Sequence, residues 1–212
     1  ISGLIFFVIA FIIGVGVDVI RYSMIKDVLN KKKIVIGRIW KEKKQFFWSV
    51  VFFKVLTFLV VFAMLLVVAA IGGLIFILFS FVDPLTGTVS SIVLGLLLSF
   101  VGLIFIKLAL LFGYPIMFLG KNKNPLKVLK ASFKFFKKRK EYVFVTLLVT
   151  IGIGVVIGIL SFLVNLLFSF DSFIPGLLIL LTIVSIIINF IISVTGKLWI
   201  DIYLFSRYKE RP

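Results

Sequence analysis

Residues 55–81 read VLTFLVVFAMLLVVAAIGGLIFILFSF and contain no charged side chain. A helix needs ~20 predominantly apolar residues to cross the hydrocarbon core of a bilayer, so this stretch is long enough to span a membrane. Four further runs carry no charge: residues 1–17, 84–106, 142–170 and 172–196. A hydrophobic share of 62% and a mean hydropathy of +1.29 exceed those of soluble domains, in which about half of the residues are apolar.

The sequence therefore predicts an all-α protein, a polytopic transmembrane helical bundle that forms one domain over residues 1–212. Its five spans are expected at about residues 1–20, 55–81, 91–111, 142–168 and 177–200. Turn signals at Asp83-Pro84 and at Asp171–Pro175 separate the spans of each hairpin.

The distribution of the 24 lysines and arginines orients the bundle. Apart from Lys107 and Lys197, they lie in residues 21–54, in residues 121–140 and in the tail after Ser206, and the two turns hold none. Positively charged loops stay on the cytoplasmic side, so residues 21–54, residues 121–141 and the C-terminus are predicted to be cytoplasmic. Five spans then start outside, and a sixth span is expected upstream of Ile1 in the full protein.

Two basic amphipathic helices are expected at the cytoplasmic surface. The clearer one is residues 125–140, PLKVLKASFKFFKKRK, which Asn124 can cap and Pro125 can begin. Three- and four-residue steps predict one apolar face, formed by Leu126, Leu129, Phe133 and Phe136. The candidate residues for binding lipid headgroups are Lys127, Lys130, Lys134, Lys137 and Lys138.

Such a helix is predicted to lie in the membrane plane, with its apolar face down and its lysines among the headgroups. The competing interpretation is that these charges only set the topology, which requires no bound lipid. The second interfacial helix is expected before the second span, with an apolar patch at Ile36, Ile39 and Trp40 that continues through residues 46–53.

Lys107 stands out because it interrupts an apolar run. Ionisable residues inside a membrane usually face a partner or a wet cavity, so Lys107 is a candidate for a functional or a structural role. Asp18 and Asp201 are its candidate partners. Lys54 and Lys197 lie close to a boundary, where their side chains can reach the headgroups.

Packing between spans is expected from small and polar residues. The G-x-x-x-G motif from Gly154 to Gly158 predicts a close helix approach, and Asn165 and Asn189 can hydrogen-bond between helices.

Enzymatic chemistry is not expected. The chain has no cysteine and no histidine, and its eight acidic residues form no pair at a spacing suited to acid–base work. No cofactor and no metal are predicted. The net charge of +16 would suggest nucleic acid in a soluble protein, but here the basic segments flank membrane spans, so anionic lipid is the expected partner.

Two segments carry a resemblance to a known family. LFGYPIMFLG at residues 111–120 is followed by NPLKVLKASFKFFKK at residues 124–138. This arrangement resembles prokaryotic polytopic proteins related to the membrane domain of glycerophosphoryl diester phosphodiesterases, in which a span ending in Tyr and Pro leads to a P-L-x-A-L-K-x-S-F helix. The matching positions are Tyr114, Pro115, Pro125, Leu126, Ser132 and Phe133. The catalytic domain is absent, so the resemblance implies a six-span membrane domain of a prokaryote and no activity.

The leading hypothesis is a non-enzymatic integral membrane protein of a prokaryotic plasma membrane that engages anionic lipid and organises the membrane or a partner. A second copy of the chain or another membrane protein is the candidate protein partner. The alternative hypothesis is a transporter or channel for an anionic solute or lipid, with Lys107 lining the path. Unchanged flux in a folded Lys107→Leu variant would remove the main support for transport.

Overall fold

A computed structural model describes residues 2–32, 36–169 and 175–210. Within these ranges the chain forms seven α-helices and no strand: α1 Ser2–Leu29, α2 Ile36–Ser80, α3 Pro84–Leu110, α4 Gly113–Leu119, α5 Pro125–Lys138, α6 Lys140–Ser169 and α7 Pro175–Lys209. All but α4 and α5 are long and apolar enough to cross a membrane, which confirms the predicted all-α bundle of five spans. The predicted turn after α6 lies largely outside the described residues, and its Pro175 begins α7.

Two helical hairpins, α2 with α3 and α6 with α7, make the largest contacts, and α1 packs against α2 and α7. The turn between α2 and α3 is fixed by Asp83, whose carboxylate accepts hydrogen bonds from the Thr86 backbone N–H at 2.8 Å and from the Thr86 hydroxyl at 3.0 Å. These bonds favour the ionised form and lower the pKa of Asp83. Pro84 follows as the first helical residue, so α3 begins earlier than residue 91, where the third span was expected.

Both basic segments lie at the same end of the bundle, which we call the basic end (residues 21–32, 36–54, 107–147 and 197–210). The Ser49 hydroxyl donates to the Lys123 carbonyl at 2.7 Å, which joins α2 to the chain before α5. The Lys209 ammonium donates to the carbonyl of Leu29, which joins the end of α7 to the end of α1. The structure thus brings together the segments that the charge distribution predicted to share one side.

The hydrophobic core is concentrated at the basic end, where α4 and α5 fill the space between the hairpins. Its fully buried members include Val50, Phe112, Phe118, Val128 and Phe205. The opposite halves of the hairpins leave most of their large apolar side chains exposed, as expected for surfaces that face lipid.

The helix predicted before the second span is not a separate element, because α2 runs without interruption from Ile36 to Ser80. Its 45 residues measure ~68 Å, more than twice the ~30 Å of a hydrocarbon core, so the basic half of α2 extends beyond the span. Phe46, Val50 and Phe53 are buried in the core at helical spacing. Ile39 is also buried, whereas the side chains of Ile36 and Trp40 lie outside the described set.

The helix packing signals have mixed outcomes. A Cβ added to Gly154 or to Gly158 would meet no atom within 4 Å, so the G-x-x-x-G prediction is wrong. The close approach of α6 and α7 occurs instead at Gly196, where an added Cβ would collide with the Ile157 side chain. The predicted bond between asparagines is confirmed, since the Asn189 side-chain amide donates to the Asn165 carbonyl oxygen at 2.7 Å.

Candidate functional site

The basic helix α5 begins as the sequence predicted. The Asn124 side-chain oxygen accepts hydrogen bonds from the backbone N–H groups of Leu126 at 3.0 Å and Lys127 at 3.2 Å, and Pro125 occupies the first helical position. This cap satisfies two of the backbone donors that a helix leaves unpaired at its start, so the lysine-rich segment has a defined beginning.

The predicted apolar face of α5 is confirmed only in part, since Leu129 and Phe136 pack against the core as partly buried residues. The fully buried side chains are Val128 and Ser132, whereas Leu126 is 53% exposed. The Ser132 hydroxyl donates to the Ala109 carbonyl at 2.6 Å, and this bond allows a polar residue to occupy the buried face. Through this face α5 packs on α2, α3 and α4. The helix is therefore docked on the protein.

Docking leaves the charged side of α5 open. All five predicted headgroup-binding lysines are exposed, namely Lys127, Lys130, Lys134, Lys137 and Lys138. Among the described residues, no carboxylate oxygen lies within 4.0 Å of any of these ammonium groups. Where α5 meets α6, residues 137–142 line a cavity of about 440 Å³ that contains four basic residues and one acidic residue. The α5 surface thus carries positive charge that no described carboxylate neutralises.

A network of ion pairs joins three of the spanning helices. Arg21 of α1 contacts Asp18 of the same helix, with the Nη2 to Oδ1 distance at 2.8 Å, and its Nε lies 2.8 Å from Asp201 Oδ2 of α7. Lys54 of α2 donates from Nζ to Asp18 Oδ2 at 2.6 Å. We call these four residues the ionic cluster. The Arg21–Asp201 contact lacks hydrogen-bond geometry and is an electrostatic contact between oppositely charged groups.

The ionic cluster corrects the predicted partners of Lys107. Asp18 and Asp201 pair with Arg21 and Lys54, and their side chains are only 13% and 11% exposed. Lys54, predicted to reach toward the headgroups, pairs with Asp18. The spacing of Asp18 and Arg21, three residues apart on one helix, is the sequence signal for the contact between them, which is one of the three contacts in the cluster. Sequence reasoning missed Arg21 because it was counted only as a flanking charge.

Lys107 lies in the last turn of α3, since this helix ends at Leu110 and α4 begins at Gly113. A cation is favourable at this position because the last helical turn carries partial negative charge. The side chain is exposed, and no carboxylate oxygen of a described residue lies within 4.0 Å of it. Lys107 therefore belongs to the basic end of the bundle.

Lys107 and Asp201 line the same cavity, whose volume is about 450 Å³. We call it the Lys107 cavity. Five helices contribute to its wall, which contains Tyr22, Thr57, Val61, Leu103, Ile106, Lys107, Leu110, Leu111, Tyr114, Asp201 and Leu204.

The two tyrosines of the Lys107 cavity are held by ring stacking. Tyr22 stacks on Tyr114 with ring centroids 4.5 Å apart, and on Phe205 with centroids 5.5 Å apart. Arg21 donates to the Tyr22 hydroxyl at 3.0 Å, which ties the ring to the ionic cluster. The Tyr114 hydroxyl makes no hydrogen bond to any residue that the structure describes.

These features define the class of the protein as a polytopic α-helical membrane protein with a packed, positively charged end. No protein-family model matches the chain, and no curated protein or solved structure is significantly similar to it. The resemblance to the membrane domain of the phosphodiesterases stays a prediction.

Proposed function

We propose that this protein is a non-enzymatic integral membrane protein of a prokaryotic plasma membrane that binds anionic lipid headgroups through α5. The observation that carries the proposal is the arrangement of α5. This helix buries Val128 and Ser132 against the bundle and leaves all five of its predicted lysines exposed, with no described carboxylate paired to them. In the proposed orientation the basic end faces the cytoplasm, where anionic lipids give the leaflet a negative surface potential.

Docking is what distinguishes α5 from an ordinary basic loop. A loop that only sets the topology needs its charge but no fixed geometry. On α5, the cap at Asn124 and the bond from Ser132 to Ala109 hold the lysines in one array relative to the spans. Each lysine near an anionic leaflet contributes roughly 1 kcal/mol, so five lysines can retain several acidic lipids beside the bundle.

The test replaces all five α5 lysines with glutamine in the full chain. We expect the affinity for dioleoyl phosphatidylglycerol to fall at least tenfold, while the weaker binding of dioleoyl phosphatidylcholine changes little. Native mass spectrometry of detergent-solubilised protein titrated with each lipid measures both affinities. Since the five side chains are exposed, the variant is expected to keep its fold.

The matched control removes the same charge elsewhere at the basic end. Lysines 31, 32, 44, 121 and 123 are also exposed, and their replacement with glutamine lowers the net charge by the same amount. We expect this control variant to keep most of its preference for phosphatidylglycerol. If the two variants lose the preference equally, net charge explains the binding and the proposal for α5 is wrong.

Transport of an anionic solute or lipid is the second candidate function, and one observation favours it. Lys107 is exposed in a cavity between helices, as a path for an anion requires. The comparison of flux through Lys107→Leu and native protein separates this candidate from lipid engagement by α5.

A further inference from the structure

The charges around the Lys107 cavity do not balance. The ionic cluster contains two carboxylates, of Asp18 and Asp201, and two cations, of Arg21 and Lys54, so its formal charge is zero. Lys107 adds one positive charge with no described counter-ion within 4.0 Å. Lys107 is exposed in this cavity, so an anion that enters it can pair with the ammonium group and restore neutrality.

The cavity also offers a second donor and an apolar wall. The Tyr114 hydroxyl makes no hydrogen bond within the described chain, and it lines the same space as Lys107. Val61 and Leu103 lie one helical turn beyond Thr57 and Lys107, in the direction away from the basic end. A ligand in this cavity therefore meets polar donors near the basic end and hydrocarbon on the opposite side.

We propose that the Lys107 cavity binds one phosphate group, with the Lys107 ammonium and the Tyr114 hydroxyl as its donors. Lys107 supplies the charge, and Tyr114 supplies a hydrogen bond whose direction is fixed by the stack on Tyr22. The apolar wall fits the beginning of an acyl chain, so the phosphate of a membrane lipid is the expected source and free inorganic phosphate is the other.

This site is separate from the lysine array of α5. None of the five α5 lysines lines the Lys107 cavity, and the cavity is bounded by α1, α2, α3, α4 and α7. The proposal shares Lys107 with the transport candidate but requires only equilibrium binding. The experiment can therefore fail without affecting the proposal for α5.

The test measures lipid binding in the variant whose five α5 lysines are glutamine, so that lipid held by α5 does not obscure the cavity. In this background we expect one dioleoyl phosphatidylglycerol to remain bound in native mass spectra. Adding Lys107→Gln is expected to weaken that binding at least tenfold. Adding Tyr114→Phe, which removes only the hydroxyl, is expected to weaken it severalfold.

Lys44→Gln is the matched control, because Lys44 is an exposed lysine of α2 at the same end and lies outside the cavity. We expect it to keep the bound lipid. Equal retention by the Lys107→Gln and Lys44→Gln variants would overturn the proposal. A titration with inorganic phosphate distinguishes the sources: no displacement of the lipid supports a lipid phosphate, whereas displacement that requires Lys107 supports the site with free phosphate as its ligand.

Discussion

Replacing Arg21 with methionine is expected to lower the free energy of unfolding by about 3–5 kcal/mol, the range for removing one partner from a buried ion pair. Arg21 is the only cation that contacts both carboxylates of the ionic cluster among the residues described. Its loss leaves Asp201 without an ion pair and Asp18 with Lys54 alone. The side chains of Arg21, Asp18 and Asp201 are 16%, 13% and 11% exposed, so water can compensate for the lost contact only weakly. Lys54 is more open, at 28%.

Thermal unfolding of detergent-solubilised protein, followed by size-exclusion chromatography, measures the effect. Lys54→Met is expected to cost less, since Lys54 is 28% exposed and Asp18 keeps Arg21. In a double-mutant cycle, Asp201→Asn added to Arg21→Met should recover part of the loss, because it removes the unpaired charge. A cost for Arg21→Met no larger than that of Lys44→Met, at an exposed lysine outside the cluster, would show that the ionic cluster does not stabilise the bundle.

The spans could be predicted from the sequence because each one satisfies its own backbone hydrogen bonds and needs only length and apolarity to be recognised. The start of α5 could also be predicted, because Asn124 and Pro125 act only on the next few residues of the same helix. The sequence wrongly predicted a boundary at Lys54 between an interfacial helix and the second span, which the structure shows as one helix α2. A charge such as Lys54 does not end a helix, and only the partner Asp18, 36 residues away, shows why it lies there.

The buried face of α5 could not be predicted from the polarity of its residues alone. Ser132 counted as polar, yet its hydroxyl reaches the Ala109 carbonyl at the end of α3 and the residue becomes fully buried. The partner carbonyl is available because α3 stops at Leu110, a feature of another helix. Likewise, the pairing of Arg21 with Asp201 depends on the relative positions of α1 and α7, which no local spacing encodes. Long-range pairings of this kind determine the candidate sites.

The G-x-x-x-G spacing gave a wrong prediction for the same reason, because close approach also depends on another helix. A G-x-x-x-G motif permits close approach, but another helix must present a matching surface. At Gly154 and Gly158 a Cβ would have no other atom within 4 Å, whereas at Gly196 the Ile157 side chain fills the space that a Cβ would take. The glycine motif that could allow close approach is therefore on α6, whereas the glycine at which the two helices approach closely is on α7.

Phe112 packs against aromatic rings of three helices at the basic end. Its replacement with alanine has the second large expected effect. The ring is 1% exposed and lies between α3 and α4. Its centroid is 4.9 Å from that of Phe135 on α5, 6.1 Å from that of Tyr142 on α6 and 6.2 Å from that of Tyr208 on α7. Removing a buried phenylalanine side chain costs about 3–5 kcal/mol when the cavity cannot collapse, and we expect Phe112→Ala to fall in this range.

The matched control is Phe100→Ala on α3, where the ring is 64% exposed on the lipid-facing half. Lipid can fill the space left there, so we expect this variant to lose little stability. Thermal unfolding compares the two variants, and hydrogen exchange then locates the damage. Amides of α5 should exchange faster in Phe112→Ala, because α5 loses the ring against which Phe135 packs, while amides in the half of α3 nearest Pro84 stay protected. Equal costs for the two substitutions would mean that the basic end is no better packed than the lipid-facing half, and α5 would then have no rigid support for its lysines.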